Sequence, residues 1–472
     1  MAASDFVHGV ETFTAVIGGK SITIVRTAVV MLIGLAPKGP SQELTLVQKQ
    51  DDLSQWGSYL AGFTIPQALN IIFEQSSKAT VVVVNIYDPE THDIEVEDEP
   101  HVMVGGKTKL TYEPTSFTSL TNAAGDVTYV LDTDYSVDDY GNIKVIGTTI
   151  SQTGSVKANY NKLDTTTITS AQIIGAVTGD VRTGMKLFDL SRVQFGFTGK
   201  ILICPVYGAL TAVSAGMVAY INDKRACTFT PAPFGTSKAT AVAGRGAGGS
   251  INFQTQNKRV MLLFPWVKDN NLVTDADQYS DPSAYYAGQM CATDALEGPQ
   301  TSVSNHEIIG VNGTEIPITD EISDPNSDAN ALNGAGISTV SMGSGVARTW
   351  GNRNASFPEN TAIDSFLSVI RVSDIIAESI EYYSRPYIDK PITKAIIDQI
   401  RADVNAFMRI LISRGWILDG SKCTWDKAKN PNEELALGHL VFDYNFLPPP
   451  PMERLTYNAF VDINLFTKAL AA

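Results

Sequence analysis

Between residues 361 and 466 the spacing of apolar positions changes from a helical period to an alternating one. Ile363, Phe366, Leu367, Ile370, Ile376 and Ile380 recur at three- and four-residue steps, which places them along one face of a helix. Pro386 ends that helix, because proline has no N–H to donate and disfavours helical geometry in the residue before it. A second helix is expected from Pro391, with Ile396, Ile400, Val404, Phe407 and Leu411 as its apolar stripe. At 100° per residue Lys394, Arg401 and Arg409 fall within about 80° of one another, away from that stripe. The second helix therefore has a buried face and a basic face. Residues 439–447 then read as a strand, and the four prolines at 448–451 as an extended spacer that cannot enter a helix or a sheet interior. Beyond it Leu455, Tyr457, Ala459, Val461, Ile463 and Leu465 alternate with Thr456, Asn458, Phe460, Asp462 and Asn464, the period of a strand. Such a strand needs an edge to pair with, either within its own domain or on a neighbouring molecule.

Upstream, residues 10–24 hold two short strand-like runs around Gly18 and Gly19 and read as an arm carrying Val10, Ile22 and Ile24. Residues 27–35 form an expected buried strand, 67–75 a short helix, and 80–86 a valine run suited to a strand covered on both faces. Strand, helix, strand in that order implies a right-handed crossover in an α/β layer. The pattern resumes with strands at 200–205, 226–230 and 259–265 and a helix at 210–222. Between these parts, residues 88–188 are rich in Thr, Gly, Asp and Tyr, with turn signals such as Tyr140-Gly141-Asn142. The predicted organisation is an α/β (α+β) multidomain protein. It comprises an N-terminal arm (1–25), an α/β core in two parts (26–87 and 189–360), an inserted β-rich domain (88–188), a C-terminal helical and sheet domain (361–447) and a C-terminal strand arm (448–472).

Composition narrows the function. A chain of 472 residues is too long for one core, and 44% apolar with 18% charged residues fits a folded protein. A net charge of −15 argues against nucleic acid or anionic membrane as partners, since both select clustered positive charge. Residues 88–188 hold 15 acidic against 7 basic side chains, a net −8 that calls for an exposed face. Their carboxylate groups (Glu95, Glu97, Asp98, Glu99; Asp132, Asp134, Asp138, Asp139) lack the spacing of a calcium loop. The most apolar run, 27–36, is too short to span a membrane, and the start, with Asp5 and His8, has no basic region of a secretory signal. Cys204, Cys227, Cys291 and Cys423 stand far apart, so neither a disulfide framework nor a zinc site is expected, in keeping with a reducing cytoplasm.

Candidate chemistry is sparse. Gly19-Lys20-Ser21 resembles the end of a phosphate-binding loop, but Thr14 stands where the first glycine is needed and a strand follows. Gly244-Arg245-Gly246-Ala247-Gly248-Gly249 has the dinucleotide-binding spacing, yet it follows an expected helix and precedes the strand-like Ile251-Asn252-Phe253, so it reads as a loop. His8, His92, His101, His306 and His439 are scattered, and only His306 has a carboxylate beside it in a polar loop, Glu307. No catalytic constellation, cofactor or metal is expected.

The remaining motifs carry a resemblance. His8-Gly9-Val10 is followed by Val29-Val30-Met31-Leu32-Ile33-Gly34-Leu35-Ala36-Pro37-Lys38-Gly39-Pro40, Trp56-Gly57 and the strand at 81–87. Residues 261–266, Ala287-Gly288, Asp294, Gly298, Asn305 and Gly310-Val311 follow in order. Leu332-Asn333 with Gly336-Ile337, Thr349-Trp350-Gly351-Asn352-Arg353, the closing helices, Trp416 and the tail at 450–463 complete the set. In this order the chain resembles the tail sheath proteins of contractile-tailed bacteriophages, which are related to the sheaths of contractile bacteriocins and type VI secretion systems. The resemblance spans nearly the whole length except about 88–188, where sheath proteins carry variable outer domains; the four-proline run is longer than the family pattern.

The resemblance implies a structural subunit, not an enzyme. Copies would stack as six-membered rings around an inner tube, with terminal arms paired as strands between subunits, and contract to drive the tube through the host envelope. The implied partners are further copies of the chain, the inner tail tube protein, and baseplate and tail terminator proteins, with no cofactor, no nucleic acid and no membrane insertion. The implied location is the virion, after assembly in the host cytoplasm. Lys394, Arg401 and Arg409 are candidates for the tube contact, the alternative being a solvated face partly neutralised by Asp398. Val10, Ile22, Ile24, Leu455, Tyr457, Val461 and Ile463 are candidates for the inter-subunit strands. Two other classes stay open: a non-contractile surface-layer or capsid-type protein, and an enzyme with a nucleotide at the loop 244–249.

Overall fold

The computed structural model describes residues 22–321, 323–343 and 345–466. Val10 and the glycine-lysine-serine turn at 19–21 lie outside the described residues. Eight strands form the central sheet: β1 (Val29–Gly34), β2 (Leu44–Val47), β3 (Thr80–Asn85), β4 (Ile201–Ile203), β5 (Cys227–Pro231), β6 (Val260–Leu263), β7 (Ile337–Ser341) and β8 (Arg348–Trp350). Their order is β2-β3-β1-β4-β5-β6-β7-β8, parallel from β3 to β7, with antiparallel strands at both edges. Val30 pairs with Val81 on one side and Ile201 on the other.

The valine run is explained by what covers the sheet. Val81 and Val83 pack on one face with Val30, Leu32 and Ile203, under α1 (Ile65–Gln75) and, further along the chain, Ala287 and Met290. Val82 and Val84 pack on the other face with Met31, Ile33 and Leu202, under α2 (Thr211–Lys224). Ala287 and Met290 belong to α3 (Pro282–Leu296), whose Asp281 caps its N-terminus by accepting from Ser283 N. With helices on both faces, successive strand residues are all apolar, as parallel sheets require. The glycines of the interior motif are steric. A Cβ on Gly351, at φ +129, would lie 2.5 Å from Ser338 Oγ, and one on Gly336, at φ +74, would lie 2.3 Å from the Phe357 carbonyl oxygen.

The insert is smaller than its composition suggests. Two antiparallel sheets, one of four strands and one of three, occupy residues 93–163. Both contribute to one separate core: Leu120, Val156, Ala158 and Tyr160 from the larger, Tyr135, Ile143 and Val145 from the smaller. Ile168, Ile173, Met185, Leu187 and Phe188 instead join the core beneath the central sheet. The polar composition of 165–183 hides this, because a few apolar anchors suffice to bind a loop. Entry and exit of the insert are adjacent, with Asp164 N donating to His92 O at 2.8 Å. Replacing residues 93–163 by a two-glycine link is therefore expected to leave the rest folded, with a single cooperative thermal transition. Deleting 88–188 is expected to unfold the chain, since it removes Ile168, Ile173, Met185, Leu187 and Phe188 from one face of the sheet; circular dichroism on heating checks both.

The C-terminal unit has its own core. Among the described residues it comprises 22–25 and Val372–Pro449, while Arg26–Arg371 and 450–466 belong to the other unit. Helix α4 (Leu367–Ser384) stops just before Pro386, as expected. Helix α5 (Lys394–Ser413) starts three residues later than Pro391 suggested, because Thr393 caps it by accepting from Ile396 N. Ile376, Ile400, Val404, Phe407, Leu411 and Trp416 fill the core between them. The strand expected over 439–447 is confined to Asp443–Asn445, paired with Lys422–Thr424. No helix among the described residues is long and apolar enough to cross a membrane.

Candidate functional site

The first arm has a home for its last residues. Ile22 is buried in the C-terminal core and Ile24 and Val25 pack against it, with Val25 N donating to Ser379 Oγ at 3.3 Å. Residues 22–25 form no strand, which corrects the expectation of one at this point. Their side chains anchor on helices, which offer no backbone edge to pair with.

The last arm has almost none. Residues 446–462 form no helix or strand, and Tyr457, Phe460 and Val461 are 85%, 88% and 96% exposed. Leu455 and Ile463 are exposed as well. The alternation at 455–465 thus has no partner strand among the described residues. The arm is held at its root: Pro448 is buried, and Glu453 accepts two hydrogen bonds from Arg353, Nε to Oε1 at 2.9 Å and Nη2 to Oε2 at 2.5 Å. The Arg353 guanidinium also lies over the Phe366 ring, 3.7 Å from its centroid, which accounts for arginine closing the interior motif.

Near this root, the two-stranded sheet is closed on one side. Asn405 of α5 accepts from Cys423 N at 2.9 Å and donates to Cys423 O at 2.9 Å, so the Lys422–Thr424 edge cannot take a further strand. Lys394, Arg401 and Arg409 are all exposed on α5, as their spacing required. Arg401 is paired with Asp398 at 3.0 Å; Lys394 and Arg409 make no ion pair among the described residues. Residues 372–449 hold 9 basic against 11 acidic side chains, so the positive charge is a feature of one face of α5 and not of the unit as a whole. On the opposite flank of α5, Tyr383 hydrogen-bonds Asp403 and Tyr387, and burial together with those bonds pushes its phenol above the usual range.

One structural residue was legible only as a motif. Asp294 of α3 receives Arg371 of α4 in a two-pronged pair, Nη1 to Oδ1 at 2.9 Å and Nη2 to Oδ2 at 2.6 Å. Both side chains are buried, 8% exposed for Arg371 and 1% for Asp294. The pair fixes the start of α4 onto the α/β core, and nothing in the local sequence announces it because its members are 77 residues apart.

Enzyme-like features dissolve into structure. The loop 244–249 follows a helix, Lys238–Ala243, and Ile251-Asn252-Phe253 forms a turn where a strand was expected. Arg245 donates to the Ala355 and Phe357 carbonyls and pairs with Glu359, so the loop is a clasp. His306 interacts with the Ser302 carbonyl and with Glu297 at 3.9 Å, and burial lowers its pKa. All four cysteines are buried and none forms a disulfide, and no metal-holding cluster occurs among the described residues.

Comparison with known proteins agrees with this geometry. Residues 180–355 match the family described as phage tail sheath protein central domain, and 361–462 the phage tail sheath C-terminal domain. The tail sheath protein of Burkholderia phage BcepMu is 40% identical over 463 residues, 96% of each chain. The major tail sheath protein of Serratia phage KSP20 is 27% identical over 288 residues, 61% of this chain and 70% of that one. The fold is similar to the contracted helical sheath of the anti-feeding prophage, with TM-score 0.60, 15% identity, and 97% and 100% of the two chains covered.

Proposed function

Because this chain belongs to the phage tail sheath family, we propose that it polymerises as stacked six-fold rings around an inner tube and contracts to drive that tube through the host envelope. It is a structural component of a contractile tail and so of the virion. Its partners on this reading are its own copies, the inner tail tube protein, and baseplate and tail terminator proteins, met in the host cytoplasm. The observation that carries the reading is the alternating arm at 455–465, whose apolar side chains are exposed and which pairs with no strand among the described residues. Strand addition between copies satisfies both, and the alternation sets its register. The sheet of Lys422–Thr424 and Asp443–Asn445 suits this role, since Asn405 closes one side and directs addition to the other. Arm residues Leu455, Tyr457, Val461 and Ile463, with Val10 from the other terminus, carry the contact, while Ile22 and Ile24 anchor the first arm in the core of its own copy. A non-contractile lattice would use similar arms, but the 40% identity over 96% of the chain to a tail sheath protein favours the contractile reading.

Contraction needs no nucleotide when the extended state is assembled as the less stable of two. A difference of about one kcal/mol per subunit becomes decisive when many move together. The tube is gripped by the basic face of α5. Exposed ion pairs contribute about 0–1 kcal/mol each and are screened by salt, which suits a grip that must let go. Changing Lys394, Arg401 and Arg409 together to Glu is expected to shift co-expressed sheath and tube proteins towards empty contracted sheaths in electron micrographs. Normal extended assemblies from that triple variant would contradict the assignment. Removing residues 93–163 is expected to leave the chain able to form tubes at sufficient concentration, because the insert holds neither arm.

A further inference from the structure

The insert segregates its charge. Its two sheets share one core, so their outward faces look away from it on different sides. The outward face of the three-stranded sheet carries Lys107, Lys109 and Lys144, all exposed around an open concavity that Ser136 and Asn142 also line. Lys107 stands directly opposite Lys144 in the ladder. Both backbone groups of Lys107 bond Val104, so this is the close, non-hydrogen-bonded type of pair, in which like charges repel most. The one carboxylate lining the concavity, Asp138, is engaged by Tyr140 N and by the Asn142 main and side chains. None of the three lysines makes an ion pair among the described residues.

The four-stranded sheet has the opposite sign. Glu95 lies opposite Asn161 on its outward face and Glu97 is two residues on, both exposed and without an ion pair among the described residues, while Lys157 on that face is neutralised by Asp98 at 3.0 Å. Residues 93–163 contain 11 acidic and 5 basic side chains, so three lysines gathered on one face, away from every glutamate ladder, run against the domain's own balance. Charges placed for solubility intersperse the two signs. Segregation leaves the domain with one positive and one negative face. The i, i+2 spacing is about 6.6–6.8 Å on both, so the rows match.

We propose that the lysine face of one copy's insert docks on the glutamate face of a second copy's insert, head to tail. Self-docking of like faces is repulsive, so the contact has a direction, and a directional contact propagates along an assembly instead of closing a pair. This rests on the self-assembly proposed above, and it supplements the arms without replacing them.

The test is a charge-swap cycle on the full chain, read as the critical concentration for tube formation at low salt. The triple variant K107E/K109E/K144E and the double variant E95K/E97K are each expected to raise it about tenfold, as the loss of two or three weak ion pairs does. Combining them is expected to restore it, and the differences to vanish in high salt. Equal values for all variants, or no restoration in the combined one, would overturn the inference. A second measurement does not depend on tubes. Zero-length carbodiimide treatment of mixed ¹⁴N- and ¹⁵N-labelled protein should join these lysines to Glu95 or Glu97 between copies; cross-links only within one copy would also overturn it. Absence of tubes from the unaltered protein would count against the sheath reading alone, and the cross-links would still decide this contact.

Discussion

Truncating the chain after Pro448 is expected to give a folded protein that no longer polymerises. The C-terminal core ends at Phe446, and Pro448 is the last buried residue of the spacer, so the fold loses little. Its main internal loss is the pair of Glu453 with Arg353, and the largely buried guanidinium keeps Ser365 Oγ and the Phe366 ring as partners. Assembly loses far more. Each apolar side chain buried on docking contributes roughly 1.5–3 kcal/mol, and the arm offers Leu455, Tyr457, Val461 and Ile463. Forfeiting even two of these lowers an association constant by about 10²–10⁴. The prolines add to the effect, since a stiff spacer limits the conformations surrendered when the strand docks. Sedimentation velocity should show monomer at concentrations where the full chain forms tubes; tubes from the truncated chain would contradict the role of the arm.

Asp294→Asn is expected to destabilise the protein by about 3–5 kcal/mol, because it leaves the Arg371 guanidinium buried without its counter-charge. Arg371→Met is expected to cost about as much from the other side. The double variant Asp294→Leu with Arg371→Met should recover most of the loss, since a well-packed apolar pair of similar volume replaces a buried ion pair at little net cost. Urea denaturation monitored by tryptophan fluorescence checks this through the midpoint at constant slope. Equal midpoints for all variants would show that the pair is not what fastens α4 to the core.

These two cases mark how far the sequence could be read. The helices at 367–384 and 394–413, the valine strand and the basic face of α5 were legible because each is local: a period of 3.6, a period of two, or a fixed angle on one helix. What was not legible depends on contacts made far away. Ile22 and Ile24 alternate like a strand, yet bury on helices more than 340 residues on in the chain, as the Val25–Ser379 bond at a separation of 354 shows. The end of the insert was misplaced because Ile173, Met185 and Phe188 are isolated in a polar segment, and only the assembled sheet reveals them as anchors. The loop 244–249 looked like chemistry until Arg245 was seen clasping the Ala355 and Phe357 carbonyls. The arm at 455–465 is the converse: its period is clear in sequence, and a single copy does not use it.

The central claim is that this arm completes its pairing on another copy. Amide hydrogen exchange over residues 455–465, compared between monomer and assembled tubes, tests it most directly. In the monomer these amides should exchange at the rate of an unstructured peptide, as their exposure requires, and in tubes alternate residues should be slowed by orders of magnitude, as in a strand with one paired edge. Protection already present in the monomer, or none in the tubes, would contradict the account.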